Sequence, residues 1–299
     1  MIRHAVLTGE FPSFADIGDW VPNRAKWRDI LAEAEAKDAG SFAQNAWSVG
    51  ALQAAWSAIT HTRVPDDDFA CRHLTDSLTT AIRIGHDTDT VAAISGALLG
   101  ARWGMSAIPA EWRRILHGWP GVTGKGLEKL AFLAARRGEP GKYGWPLVDH
   151  IDYVPLQYGK PAVAVHPYDD GVHLAGATVL DALPERADAV VSLCLTGRAQ
   201  VPSHVEHINF RLMDEPDPAQ NPNLDYVIVD AARTIARLRD EGKRVVLHCV
   251  AAHSRTPTVG IAYAMLRGVP LADALPAVCD ALPAAHPNSG FRCLETHRA

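Results

Sequence analysis

No stretch of the 299-residue chain approaches the roughly 18 consecutive apolar residues that a membrane-spanning helix needs. The first residues, MIRHAVLTGEF, lack the apolar core of a signal peptide. Basic residues are not in excess. The 29 Lys and Arg stand against 34 Asp and Glu, a formal charge of −5, which leaves no footprint for nucleic acid or an anionic membrane. Cysteine is sparse as well: five, an odd number and scattered, which fits a reducing compartment and not a disulfide framework. These absences predict a cytoplasmic protein with neither a nucleic-acid nor a membrane partner.

What is present is unevenly distributed. All eight tryptophans lie between Trp20 and Trp145, and four of the five cysteines follow residue 150. The chain is long enough for two domains, each with its own core. The Gly-, Pro- and Tyr-rich stretch 141–161 carries little periodicity and reads as a linker. The expected division is therefore 1–140, mainly α; the linker 141–161; and 162–299, α/β.

In the first half, apolar residues recur at helical spacing, as in Val49, Leu52, Trp56 and Ile59. Asp66, Asp67 and Asp68 read as carboxylates in the first turn of a helix, where they oppose its dipole, and carry no chemistry. The stretch GHDTDTVAAISGALLGA then places Asp87, Asp89 and Thr90 on one turn at a helix N-terminus. Two carboxylates and a hydroxyl so placed can share a hard cation through oxygen ligands. Simple capping accounts for the same residues, since Asp and Thr favour that position.

GHDTDTVAAISGALLGA, followed by Ile108, Pro109 and Trp112 and a helix around 127–135, resembles the C-terminal part of ADP-ribosylglycohydrolases. The resemblance covers about residues 40–137. It implies an all-helical fold, an ADP-ribosylated substrate, and Asp87, Asp89 and Thr90 as ligands of a Mg²⁺ or Mn²⁺ centre. Two features depart from the family pattern. His86 stands where glycine is frequent, and the early Thr-Asp-Asp ligand motif has no counterpart in residues 1–60, where Asp16 and Asp19 are isolated. A half-set of ligands holds metals poorly, so hydrolysis of ADP-ribose linkages by this half alone is not expected.

In the second half, apolar strands alternate with helical patterns: 189–194 is continuously apolar, Ile208, Phe210 and Leu212 alternate, and Leu224, Val227, Ala231, Ile235 and Leu238 share one helix face. This order predicts a central, mostly parallel sheet flanked by helices. The critical stretch is RVVLHCVAAHSRTPTVGIAYAMLR, residues 244–267. Val245 to Leu247 form a buried strand, and Pro257 and Gly268 bound a helix. Between them Cys249, five residues and Arg255 make an anion trap that contains a nucleophile. The amides of Val250, Ala251, Ala252, His253, Ser254 and Arg255 can turn on phosphate oxygens, and the helix dipole adds positive potential. Arg255 can grip two oxygens at once, which lysine cannot. The same field favours the Cys249 thiolate. A zinc site built on His248, Cys249 and His253 lacks a second cysteine pair at ligand spacing.

HCVAAHSRT resembles the signature loop of dual-specificity phosphatases, with Ala252 where that family usually has glycine and Thr256 where serine is more usual. The resemblance implies hydrolysis of phosphate monoesters through a phosphocysteine, on a phosphorylated protein or small molecule, without a metal or other cofactor in this half. Thiolate attack needs an acid to protonate the leaving oxygen. Asp214 lies 35 residues before Cys249, directly after an apolar strand, and Asp217 is the runner-up. Thr256 is expected to hydrogen-bond the departing thiolate, and His248 to tune the thiol without acting as a base. In the tail, Asn288, Phe291 and Leu294 are expected to pack behind the loop, and Cys194, Cys279 and Cys293 to be core or helix residues. Three alternatives stand beside this reading: a metal-dependent ADP-ribosyl hydrolase, a non-catalytic phospho-binding module, and another anion chemistry such as arsenate reduction or sulfur transfer.

Overall fold

The computed structural model describes residues 1–11, 13, 21–156, 163–215 and 217–288; Asp16, Asp19, Pro216, Phe291, Cys293 and Leu294 lie outside the described residues. The chain divides into two compact units, Met1–Ile108 and Pro109–Ala299. No helix among the described residues is long and apolar enough to cross a membrane.

The first unit is helical: α1 (Ile2–Thr8), α2 (Arg24–Ala36), α3 (Ser48–His61), α4 (His73–Arg83) and α5 (Thr88–Trp103). Helix α3 packs on α2, α4 and α5. It can do so because Ala51, Ala54, Ala55 and Ala58 present small surfaces, with Trp56 and Ile59 as the large buried anchors. The buried His73 is fully engaged. Trp103 Nε1 donates to its Nδ1 (3.2 Å), and its Nε2 lies 3.1 Å from Ile59 O and 3.0 Å from Thr62 O. The three aspartates do not open a helix as expected. Helix α4 starts only at His73, because Asp68 instead accepts from the Phe69 amide (2.7 Å) and pairs with Arg72 (2.5 Å), while Asp66 pairs with Arg63.

The second unit opens with α6 (Ala110–Ile115), the short strands β1 (His117–Gly118) and β2 (Val122–Thr123), and α7 (Gly124–Ala135). Strands β3 (Val163–His166), β4 (Asp169–Gly176), β5 (Ala189–Ser192), β6 (Glu206–Asn209) and β7 (Val245–Cys249) then build a five-stranded sheet of order β3-β4-β7-β5-β6. Only β3–β4 is antiparallel; the other neighbours are parallel. Helices α8 (Leu224–Asp240), α9 (Arg255–Leu266) and α10 (Leu271–Ala281) complete the α/β unit, with α8 and α10 both packed on α9. Every residue of β7 is buried, as its unbroken apolar run requires of a central strand. Residues 255–264 of α9 are buried too, the mainly apolar surface after Thr258 being what a helix enclosed on all sides requires. At Gly260 a side chain would meet Leu174 at 3.3 Å, and the bare backbone lets α9 approach β4 closely.

The units divide at Ile108, upstream of the expected linker. Residues from Pro109 onward pack on the sheet that follows. The Ala110 amide donates to Asp230 (2.9 Å), Arg113 Nη1 to Asn209 O (2.8 Å), and Arg114 pairs with Glu206 (2.6 Å) and Glu241 (3.0 Å). These contacts cover β6, which would otherwise be a bare sheet edge. Nor does the described part of 141–161 behave as a spacer. Trp145, Ile151 and Tyr153 are buried in one cluster with Ala177 and Cys194. The Gly and Pro residues interrupt the periodicity that would have marked these side chains as core.

Candidate active site

Cys249 ends the central strand and Arg255 begins α9, so the intervening loop is held at both ends by buried elements. Cys249 is 1% exposed. The amides of Ala251, Ala252, Ser254 and Arg255 are not among the donors of main-chain hydrogen bonds formed by the described residues. Those at the helix start have no intrahelical acceptor by geometry. The outer side of the loop is braced: Val250 O accepts from the Ala177 amide (2.8 Å), His253 O from the His286 amide (2.6 Å), and Ser254 Oγ from the Asn288 amide (3.0 Å). Asn288 thus packs behind the loop where it was expected.

Arg255 is turned inward. Its Nη1 donates to Leu212 O (2.8 Å) and Leu193 O (3.2 Å), which fixes the guanidinium plane. Its Nε is buried without a hydrogen-bond partner among the described residues, although Asp214 Oδ2 lies 3.4 Å away. A buried, unsatisfied N–H is costly unless an anion completes it. Burial opposes the charge on Arg255, but the neighbouring groups, Cys249 foremost, outweigh that cost and leave its pKa raised.

The two candidate acids separate. Asp214 faces Arg255, whereas Asp217 caps its own turn, accepting from the Ala219 amide at 2.9 Å. Asn221, 6% exposed, clamps the residue before Asp214: its Oδ1 accepts from Met213 N and its Nδ2 donates to Met213 O, both at 2.9 Å. Asn221 was not legible as a site residue, because Asn before a helix ordinarily reads as a cap.

Thr256 is fully buried, and its hydroxyl donates to Ala175 O on β4 (3.2 Å). That places its hydrogen on the sheet and not on the Cys249 sulfur. His248 is also fully buried; desolvation holds its pKa down to about 4, so the ring is neutral at neutral pH. Its Nε2 meets Ser192 Oγ at 2.6 Å, and its Nδ1 lies 3.3 Å from Cys249 O and 3.9 Å from Cys194 Sγ. Burial pushes the Cys194 thiol up to about 12, so it stays protonated.

Ala252 has φ +53° and no exposed surface. A residue with a Cβ is strained in that left-handed region by about 1–2 kcal/mol, and glycine's greater chain freedom offsets roughly half of this. Ala252→Gly is therefore expected to stabilise the second unit by about 0.5–1 kcal/mol, read as a higher urea midpoint. A lower midpoint would show that the Ala252 methyl contributes more by packing than it costs by strain.

In the first unit Asp87, Asp89 and Thr90 do share the first turn of α5, with Asp87 as its N-cap. The buried Asn45 holds this turn, donating to Gly85 O (3.2 Å) and accepting from the Asp87 amide (3.0 Å). A hydrogen bond with Asp87 is the main cause that lowers the Asp89 pKa. Among the described residues no group of three or more His, Cys, Asp or Glu side chains could hold a metal ion here. Asp87, Asp89 and Thr90 would supply three of the six or so oxygens a hard cation takes, leaving the rest of the coordination to water or substrate.

Residues 1–142 match the ADP-ribosylglycohydrolase family model. Over 55 residues, 18% of this chain and 15% of the relative, the chain is 36% identical to human ADP-ribosylhydrolase ARH3. Over 91 residues, 30% of this chain and 46% of the relative, it is 31% identical to dual specificity protein phosphatase 1 of Arabidopsis thaliana. The chain thus spans less than half the length of the curated relatives it matches. Similar solved structures include human DUSP28 (24% identity, TM-score 0.40, covering 46% of this chain and 93% of that one). Another is the OH1 tyrosine phosphatase of Orf virus (18%, TM-score 0.39, 56% and 95%). The first 142 residues match the ADP-ribosylglycohydrolase family model, and the chain is also similar to dual-specificity phosphatases.

Proposed function

We propose that the second unit hydrolyses phosphate monoesters through a phosphocysteine. The observation that carries this reading is the inward Arg255, with its partnerless Nε beside Asp214 and the Cys249 loop. Cys249 Sγ attacks phosphorus in line and the ester P–O bond breaks, while Arg255 and the loop amides hold the equatorial oxygens. Asp214 gives its proton to the leaving oxygen. Asp214, now ionised, takes a proton from water as that water displaces sulfur, releasing inorganic phosphate and the Cys249 thiolate. A tetrahedral dianion on a phosphorylated protein or a small phosphorylated metabolite satisfies the cradle equally, and no step needs a metal.

The two carboxylates give a direct test. Asp214→Asn is expected to lower kcat about 10²–10³-fold on an alkyl phosphate and far less on p-nitrophenyl phosphate, whose leaving group needs little protonation. Asp217→Asn should leave both within about threefold. The reverse ranking would move the acid to Asp217. A second reading, binding of phosphorylated partners without turnover, is favoured by the near-complete burial of Cys249. Phosphopeptide affinity with no phosphate release and no trapped phosphoenzyme would establish it. For the first unit we propose no hydrolytic step, since Asp87, Asp89 and Thr90 are only a partial ligand set and no further His, Cys, Asp or Glu joins them among the described residues.

A further inference from the structure

A line of polar side chains runs from α7 into the floor of the proposed phosphatase site. Lys125 Nζ lies 2.7 Å from His207 Nδ1. His207 Nε2 lies 2.9 Å from Ser192 Oγ, and Ser192 Oγ lies 2.6 Å from His248 Nε2. His248 Nδ1 ends the line 3.3 Å from Cys249 O. The outer members Lys125 and His207 are half-buried; Ser192 and His248 are fully buried. Lys125 sits on the segment that the family match assigns to the first region but that packs on this sheet.

The chemistry of the two ends gives the line a direction. A lysine ammonium has only donors, so His207 must accept at Nδ1 and carry its proton on Nε2. That N–H donates to Ser192 Oγ, which leaves the Ser192 hydrogen for His248 Nε2. His248 then carries its own proton on Nδ1 and presents it to Cys249 O, a group that can only accept. Every bond is satisfied in this sense. In the opposite sense His207 Nδ1–H would face the ammonium, and the His248 Nδ1 lone pair would face a carbonyl oxygen. Among the described residues Cys194 S–H, at 3.9 Å, is a donor that could serve that opposite sense, and a thiol is a weak one.

We infer that Lys125 is a positioning residue for the proposed phosphatase site, setting the tautomer of His248 through His207 and Ser192 and thereby holding the main chain of Cys249. Both rings have pKa values pushed down by burial, so they are neutral near pH 7 and a tautomer is the right description. Lys125 itself is held down to about 8 by burial and by Lys129, with Glu128 opposing, and keeps its charge at that pH. The inference rests on the phosphatase reading for its consequence but not for its geometry.

The test is a long-range ¹H–¹⁵N correlation spectrum of the imidazoles in the full-length, ¹⁵N-histidine-labelled chain at pH 7. Wild type should show His207 protonated on Nε2 and His248 on Nδ1. Lys125→Met should move His248 toward the Nε2–H form and lower kcat/KM on p-nitrophenyl phosphate about tenfold, the scale of one buried hydrogen bond. Lys125→Arg, still a donor, should keep the wild-type tautomer. In a Ser192→Ala background, adding Lys125→Met should change His248 no further. A wild-type His248 protonated on Nε2, or an unmoved tautomer in Lys125→Met, overturns the inference. If Lys125→Met does not fold, the wild-type and Lys125→Arg spectra still decide. Failure of the phosphatase reading shows separately, as absent turnover with the tautomers as described.

Discussion

Cys249→Ser is expected to cut phosphate release from p-nitrophenyl phosphate by at least about 10⁴-fold, to the level of the uncatalysed background. The reason is electronic, because the exchange barely changes size at a position that is 1% exposed. Loop amides, the α9 N-terminus and Arg255 can stabilise negative charge on sulfur, but a serine hydroxyl is far too weak an acid to ionise in the same field. The variant should therefore keep its fold and its affinity for inorganic phosphate while losing the trappable phosphoenzyme. Initial rates, phosphate inhibition constants and ³²P trapping on the same preparations separate these quantities. Undiminished turnover would remove the nucleophile assignment altogether.

Arg255→Lys comes next in size, with an expected loss of about 10²–10³-fold in kcat/KM. The charge is preserved, so a purely Coulombic account predicts little change. The geometry predicts a large one. Arg255 ties the loop to Leu212 O and Leu193 O through Nη1 while leaving Nε unpartnered toward Asp214. One ammonium cannot satisfy two buried carbonyls and a phosphate together. Leu212 precedes Met213 and Asp214, so the substitution should also loosen the acid loop and lower kcat as well as raise KM. A loss below about tenfold would show that charge alone suffices there.

The spacing of the candidate site residues was more legible than the architecture around them, and particular residues show why. Cys249, Arg255 and the loop between them are contiguous, and their roles follow from side-chain chemistry at fixed spacing, which folding cannot much alter. The resemblance favoured Asp214 as the acid by its place after a strand; the fold sets Asp214 3.4 Å from Arg255 and turns Asp217 onto the Ala219 amide. The two positions where the resemblances marked glycine as usual, His86 and Ala252, both have positive φ, 60° and 53°. There the backbone conformation is kept although the side chain disfavours it. Thr256 illustrates the limit: its hydroxyl was expected at the thiolate, yet the Ala175 carbonyl on β4 lies within reach and accepts from it.

Periodicity and motif spacing, local properties of the chain, were enough to mark the helical first half, the strand-and-helix second half and the loop from Cys249 to Arg255. Only the tertiary structure decided that 109–156 serves the second unit, that Asn221 clamps the acid loop, and that Lys125 reaches His248 through His207 and Ser192. Those contacts join residues from 56 to 127 positions apart in the chain, except for the Asn221 clamp and the Ser192–His207 link, which still cross a loop. Such pairings arise from which strands lie side by side and which edge must be covered. Neither is written in the spacing of any one segment.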